Sequence, residues 1–163
     1  MLTVNSNSRK SHQPDGPATR EPSSASGLFS RDLFLQLLNL EHQRAERSGR
    51  PFILMLLQSM GSLPGRREET LQKLARTLSS STRKTDVKGW YDGESTIGVI
   101  FTEFGSSMKE SDVDNLLAKV THAIHGSLSI EESNQLKLSY GVYPERASTY
   151  SLLAERKVRA AQA

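Results

Sequence analysis

Asp86-Val87-Lys88-Gly89-Trp90-Tyr91, then Asp92-Gly93, then Thr96-Ile97-Gly98-Val99-Ile100-Phe101 is the stretch that decides how this chain folds. Asp-Gly between two β-prone runs is a strong hairpin signal, because glycine reaches the positive φ of a tight turn without steric cost. The return run, 96–101, is almost wholly apolar, as a strand covered on both faces must be. The outgoing run mixes polar and apolar residues, which suits an edge.

Upstream, Pro51 opens Phe52-Ile53-Leu54-Met55-Leu56-Leu57, six apolar residues without alternation and so a second strand covered on both faces. Gly61, Pro64 and Gly65 mark a turn region, and a helix follows with Glu68 and Glu69 in its first turn. Leu71, Leu74, Ala75 and Leu78 are its inward stripe. Downstream of the hairpin, Ser111 with Asp114 three residues on predicts a capped helix whose inner face is Val113, Leu116, Leu117, Val120 and Ile124. Leu136, Leu138, Tyr140 and Val142 then alternate with Lys137, Ser139 and Gly141, the pattern of a half-exposed strand.

Two helices flank this core. The first has Ser30 as N-cap, Asp32 in its first turn, Phe29 placed to staple onto Phe34, and Gly49 at its end. Leu33, Leu37 and Leu40, with Phe34, Leu38 and Ala45, supply its apolar face. A closing helix is expected after Pro144 from Tyr150, Leu153, Ala154 and Val158. The order α-β-α-β-β-α-β-α contains βαββαβ, the split arrangement of ferredoxin-like folds. The fold class is therefore α+β, a ferredoxin-like core with an extra N-terminal and an extra C-terminal helix. That topology puts strands one and three in the centre, where the two continuously apolar strands belong.

Composition narrows the function. The chain has 163 residues, enough for one domain. Residues 1–28 contain no aromatic residue, six serines and three of the six prolines, and read as a disordered leader before a domain at 29–163. There is no cysteine, which excludes disulfide scaffolds, thiolate zinc sites and thiol nucleophiles. No apolar run approaches a membrane span and the first residues lack a signal-peptide core, so a cytoplasmic protein without membrane insertion is expected. The net charge of +3 is spread along the chain, without the basic stripe of a nucleic-acid binder.

Phe34, Glu41, Arg44, Ala45 and Arg47, then Ser48-Gly49-Arg50-Pro51 and an apolar strand, resemble the opening of a diguanylate cyclase GGDEF domain. Arg83-Lys84-Thr85-Asp86 stands where that family has Arg-x-x-Asp, Trp90-Tyr91-Asp92-Gly93-Glu94-Ser95 where it has its signature hairpin, and Ser139-Tyr140-Gly141-Val142 is similar to its Ser-x-Gly-Val. The resemblance covers about residues 29–160 and implies the nucleotide cyclase fold. It also implies a cyclase that makes cyclic di-GMP from two GTP molecules held across a dimer, through a magnesium site.

The matching positions depart from that pattern. Where the family's first metal carboxylate ends strand one, this chain has Gln58 or Ser59, then Met60. In the hairpin, Gly-Gly-Asp-Glu-Phe becomes Asp92-Gly93-Glu94-Ser95-Thr96. Gln58 is neutral and cannot offset a dication beside a triphosphate, and Asp92 adds negative charge where the family's backbone approaches the nucleotide. The expectation is a degenerate GGDEF domain of bacterial signalling, with no catalytic residues, no metal and no cofactor, that acts as a regulatory module binding another protein or a second copy of itself.

The family's Arg-x-x-Asp is an inhibitory cyclic di-GMP site, so Arg83 and Asp86 are the candidate ligand-binding pair of an alternative effector reading. Arginine can hold guanine O6 and N7 while a carboxylate accepts from the N–H edge. A further alternative is a nucleotide-processing enzyme of altered specificity built on Glu94 with Asp92 or Glu103. His122 and His125 are three apart on one helix without a completing carboxylate and read as solvated, and His42 beside Glu41 as a surface pair. Trp90 and Tyr91 face opposite sides of their strand.

Overall fold

The computed structural model describes residues 26–61 and 63–144. Its element order is α1 (Arg31–Ser48), β1 (Phe52–Ser59), α2 (Pro64–Ser81), β2 (Val87–Asp92), β3 (Thr96–Phe101), α3 (Glu110–Ser127), α4 (Ile130–Asn134) and β4 (Leu136–Tyr143). The four strands form one sheet in the order β2-β3-β1-β4, with every neighbouring pair antiparallel. The two continuously apolar strands are the central ones, as their composition requires.

Alternation along β1 explains why it carries apolar residues on both sides. Ile53, Met55 and Leu57 join Leu71, Leu74, Ala75 and Leu78 of α2 and Val113, Leu117, Val120 and Ile124 of α3. Phe52 and Leu54 join Phe34, Leu38 and Ala45 of α1. The sheet is thus the middle of three layers, with α2 and α3 on one face and α1 on the other. On the α1 face Phe34 lies over Gly89 and Gly98, which are partners across the β2–β3 ladder.

The ends of α1 agree with the sequence. The Ser30 hydroxyl accepts from the Leu33 N–H at 3.4 Å, and Gly49 closes the helix with its N–H on the Ala45 carbonyl at 2.8 Å. Of the expected apolar face, Phe34, Leu38 and Ala45 are buried, whereas Leu33 and Leu37 are half-buried and Leu40 is exposed.

Four details differ from the expectation. Leu28 is fully buried in the main core, so the packed region begins before residue 29. Phe29 pairs with the outer edge of β2, its N–H on the Lys88 carbonyl at 2.9 Å and its carbonyl accepting from Trp90 at 3.1 Å. Helix α2 starts one turn early, at Pro64, where proline's missing N–H costs nothing, and this places Glu68 and Glu69 beyond the first turn. Helix α3 is capped at Lys109 rather than Ser111, with the Asp112 carboxylate accepting the Lys109 N–H at 2.9 Å.

Helix α4 was not anticipated. A capping box holds it: the Ser129 hydroxyl accepts from the Glu132 N–H at 3.1 Å and the Glu132 carboxylate accepts from the Ser129 N–H at 2.8 Å. The closing helix expected after Pro144 and most of the expected leader lie outside the described residues. Among the described residues, no helix is long and apolar enough to cross a membrane.

Candidate functional site

The end of β1 and the β2–β3 hairpin meet at one end of the sheet. Gln58 is the cross-strand partner of Thr96 on one side and of Lys137 on the other. The Ser59 N–H donates to the Ser95 carbonyl at 3.0 Å, and the Met60 N–H to the Gln135 carbonyl at 2.7 Å. Antiparallel pairing of the two central strands brings these positions together, 36 residues apart in the case of Ser59 and Ser95. The hairpin turns at Gly93, whose φ of +50° needs a residue without a β-carbon. The Ser95 N–H and hydroxyl both bond the Asp92 carbonyl at 3.3 Å.

The donor chemistry at this end does not suit a magnesium-bound triphosphate. Magnesium in such sites takes one or two carboxylates plus phosphate oxygens. Gln58 offers an amide, Ser59 is buried, Ser95 directs its hydroxyl into its own turn, and Glu94 is an exposed single carboxylate beside Asp92. Among the described residues, no group of three or more His, Cys, Asp or Glu side chains is placed to hold a metal ion.

Arg83 and Asp86 lie at the other end of β2, in the turn that leaves α2. The Asp86 side chain accepts from the Arg83 backbone N–H at 2.8 Å, and the Asp86 N–H returns to the Arg83 carbonyl at 3.1 Å. Asp86 is 7% exposed. Burial pushes its carboxyl above the ordinary range, against the opposing pull of the Arg83 N–H and of the Lys88 and Arg83 charges. Lys88 spans the same turn, its ammonium donating to Thr82 Oγ1 at 3.1 Å, to the Asp86 carbonyl at 3.2 Å and to the Arg83 carbonyl at 3.4 Å. Burial lowers the Lys88 pKa and the Asp86 charge partly restores it. The Arg83 guanidinium faces outward, 3.4 Å from Glu103 Oε2. Glu103 follows β3 with a φ of +65°, a left-handed conformation unusual for glutamate.

A groove of about 960 Å³ runs between α2 and β2. One helical face supplies Arg67, Glu68, Leu71, Gln72, Ala75 and Arg76. The facing wall is Leu28, Ser30, Arg31, Trp90, Gly93 and Glu94. Arg67 is anchored by two donated bonds to the Gly61 carbonyl, from Nε at 3.1 Å and Nη2 at 3.0 Å, while Gln72 donates to the Glu68 carboxylate at 3.4 Å. Of the groove residues, the sequence pointed to Gly93 and Glu94 as hairpin positions and to Ser30, Glu68, Leu71 and Ala75 only as helix-cap, first-turn and core residues. Arg31, Arg67 and Arg76 went unnoticed because they come from separate segments and form no motif.

His122 and His125 are exposed on α3. His42, expected on the surface, instead stands edge-on to Phe52 and Tyr143, with ring centroids 5.0 and 4.6 Å away, where α1 crosses the end of the sheet.

Comparison with known proteins places these features. The chain is similar in fold to a DGC protein from Thermotoga maritima, with 24% identity, 72% of this chain and 83% of that one covered, and a TM-score of 0.59. It is also similar to the diguanylate cyclase SiaD of Pseudomonas aeruginosa, solved in complex with its activator SiaC, at 23% identity, 86% of this chain and 57% of that one, and a TM-score of 0.56. A third likeness is to the GGDEF domain of DgcB from Caulobacter crescentus in complex with c-di-GMP, at 15% identity, 78% and 79% coverage and a TM-score of 0.55. No curated protein matches the sequence. The sequence profile described as diguanylate cyclase, GGDEF domain, matches residues 24–162. With that match spanning most of its length and the nucleotide cyclase fold beneath it, the chain belongs to the GGDEF domain family.

Proposed function

We propose that this chain is a catalytically inactive GGDEF domain that serves as a regulatory, protein-binding module in cyclic di-GMP signalling. The observation that carries this reading is the Gln58 amide at the end of β1 beside a hairpin that reads Asp92-Gly93-Glu94-Ser95. Phosphoryl transfer from a triphosphate draws its catalysis from positioning and from neutralising charge, chiefly through metal ions. A neutral amide and a turn-bound serine supply neither. Buried apolar side chains nevertheless line both faces of the sheet, which favours a retained scaffold over a decayed one. That SiaD, of the same fold, was solved with a protein activator supports protein binding as an output of such a scaffold.

The test is incubation of the full chain with GTP and magnesium or manganese, reading cyclic di-GMP by chromatography. No product is expected; turnover of GTP would overturn the reading, and turnover of another nucleoside triphosphate would favour an enzyme of altered specificity. Size-exclusion with candidate partner proteins tests the binding half, against which an inert monomer in every mixture would count.

A second reading is a cyclic di-GMP effector using Arg83 and Asp86. The spacing of Arg83, Asp86 and Asp92, and the c-di-GMP complex of the similarly folded DgcB domain, favour it. The inward-turned Asp86 carboxylate weighs against it, since it already has a backbone partner. Calorimetry with the dinucleotide decides: binding lost in Arg83→Ala supports the site, whereas no heat, or equal heat in that variant, ends it.

A further inference from the structure

We infer that the outer edge of β4 pairs antiparallel with the same edge of a second copy of this chain, centred on Ser139, so that two four-stranded sheets become one continuous sheet. This goes beyond the regulatory reading and stands or falls separately from it. The sheet has two edges, β2 and β4. Phe29 already occupies the β2 edge through its bonds to Lys88 and Trp90. The phase of β4 follows from its first contact with β1. The Met60 N–H donates to the Gln135 carbonyl at 2.7 Å, one step beyond the Ser59–Leu136 pair, so Gln135 turns toward β1. Alternation then turns the backbone groups of Lys137, Ser139, Gly141 and Tyr143 toward β1, and those of Leu136, Leu138, Tyr140 and Val142 outward. Among the described residues, no strand, loop or side chain pairs with that outward row. An unpaired row of N–H and C=O groups is a template for another strand.

The edge is complementary to itself. Centred on Ser139, the antiparallel register sets Leu136 against Val142 of the second copy and Leu138 against Tyr140, twice over by the two-fold symmetry. Every outward backbone group then meets an outward backbone group, whereas sliding the copies by two residues leaves some unmet. These apolar pairs lie on the face that α2 and α3 cover, where Leu136, Tyr140 and Val142 pack against the main core yet stay only half-buried. On the other face Lys137 meets Gly141 and Ser139 meets its own copy, so no like charges stand opposite. Other segments of the chain suit the edge less. Residues 145–163 carry the helical spacing of Tyr150, Leu153, Ala154 and Val158. Residues 1–25 hold Pro14, Pro17 and Pro22, which have no N–H to give a ladder. An edge of 8 residues is small beside the roughly 20–30 residues a side of a standard interface, so the dimer should dissociate in the micromolar range.

The chain has no cysteine, so a single introduced thiol reports on its own copy. In this register the two Ser139 residues form a non-hydrogen-bonded pair with Cα atoms about 4.5 Å apart, within reach of a disulfide. The two Lys137 residues lie about 14 Å apart, out of reach. With oxidised glutathione, the full chain carrying Ser139→Cys should become a covalent dimer, and Lys137→Cys should not. Analytical ultracentrifugation of the native chain from about 1 µM to about 1 mM should show a monomer–dimer equilibrium. Ser139→Lys and Ser139→Asp each set like charges opposite and should weaken the dimer about tenfold or more, and an equal mixture of the two should restore it. Circular dichroism checks that both variants fold, and the cysteine pair decides if either does not. A monomer at every concentration, a dimer that neither charge weakens, a mixture that stays monomeric, or cross-linking at 137 in place of 139 would each overturn the inference.

Discussion

Phe34 lies across Gly98, so that a β-carbon built on that glycine would fall 2.5 Å from the ring's Cζ. Its cross-strand partner Gly89 is as closely covered, at 2.7 Å from the Phe34 Cβ. Two glycines side by side leave the sheet without side chains just where α1 lays its largest buried residue. Gly98→Ala is expected to destabilise the domain by about 2–3 kcal/mol and Phe34→Ala by about 3–5 kcal/mol in urea unfolding. Combining Gly98→Ala with Phe34→Leu should cost less than the two single changes together. Strict additivity would mean that the ring does not meet the glycine.

Asp86 holds the α2–β2 turn by accepting the Arg83 N–H, and its burial penalises the charged form. A carboxyl whose folded pKa is raised withdraws stability as pH climbs from its ordinary value of 3.8 through the higher folded value. Asp86→Asn keeps an acceptor and removes the charge. Relative to the native chain, its stability should therefore improve across that rise in pH. Asp86→Ala leaves the N–H unanswered and should cost about 1–3 kcal/mol below and above that window. Denaturant midpoints measured from acid to neutral pH separate the two variants.

Helix α4 is tied to α2 through Lys73 and Glu132, 2.7 Å apart. The Lys73 ammonium, with the Ser129 N–H, holds the Glu132 pKa down, and Glu132 in turn raises that of Lys73. A depressed carboxylate contributes stability above its unfolded value and loses it as pH falls through the folded one. Hydrogen exchange at 130–135 should therefore quicken in acid before the sheet does. Lys73→Ala should produce the same local loosening at neutral pH, with little change in the global unfolding midpoint.

Glu103 sits in the left-handed region at a φ of +65°. Glu103→Gly should relieve the strain and stabilise the domain by about 0.5–1 kcal/mol despite losing the exposed pair with Arg83. Glu103→Ala should not stabilise, because alanine inherits the same backbone penalty. Thermal melts of the two variants check this.

Much of the fold could be read locally. Uninterrupted apolar runs in β1 and β3 leave no polar side for water, so both strands must be central. The mixed β2 and the alternating β4 accept the edges. Helix α4 carried a readable signal, Ser129 three residues before Glu132, but it spans only five residues, too few for an apolar period. Gly89 and Gly98 stand nine residues apart along the chain, and only the ladder sets them side by side.

The candidate site divides in the same way. That position 58 holds an amide where the resemblance implies a carboxylate is a matter of residue identity and needs no coordinates. What Arg83 and Asp86 do is not, because whether a carboxylate turns to solvent or back to a backbone N–H depends on the turn around it.

Sequence alone thus determined the order of the four strands and the three long helices, and which strands are central, since burial on two faces is legible in the residues of a single run. Only the tertiary structure decided that Leu28, Arg31, Arg76 and Trp90 share one groove and that Ser59 bonds Ser95. Those meetings arise when helices cross a twisted sheet, and no periodicity along the chain records them.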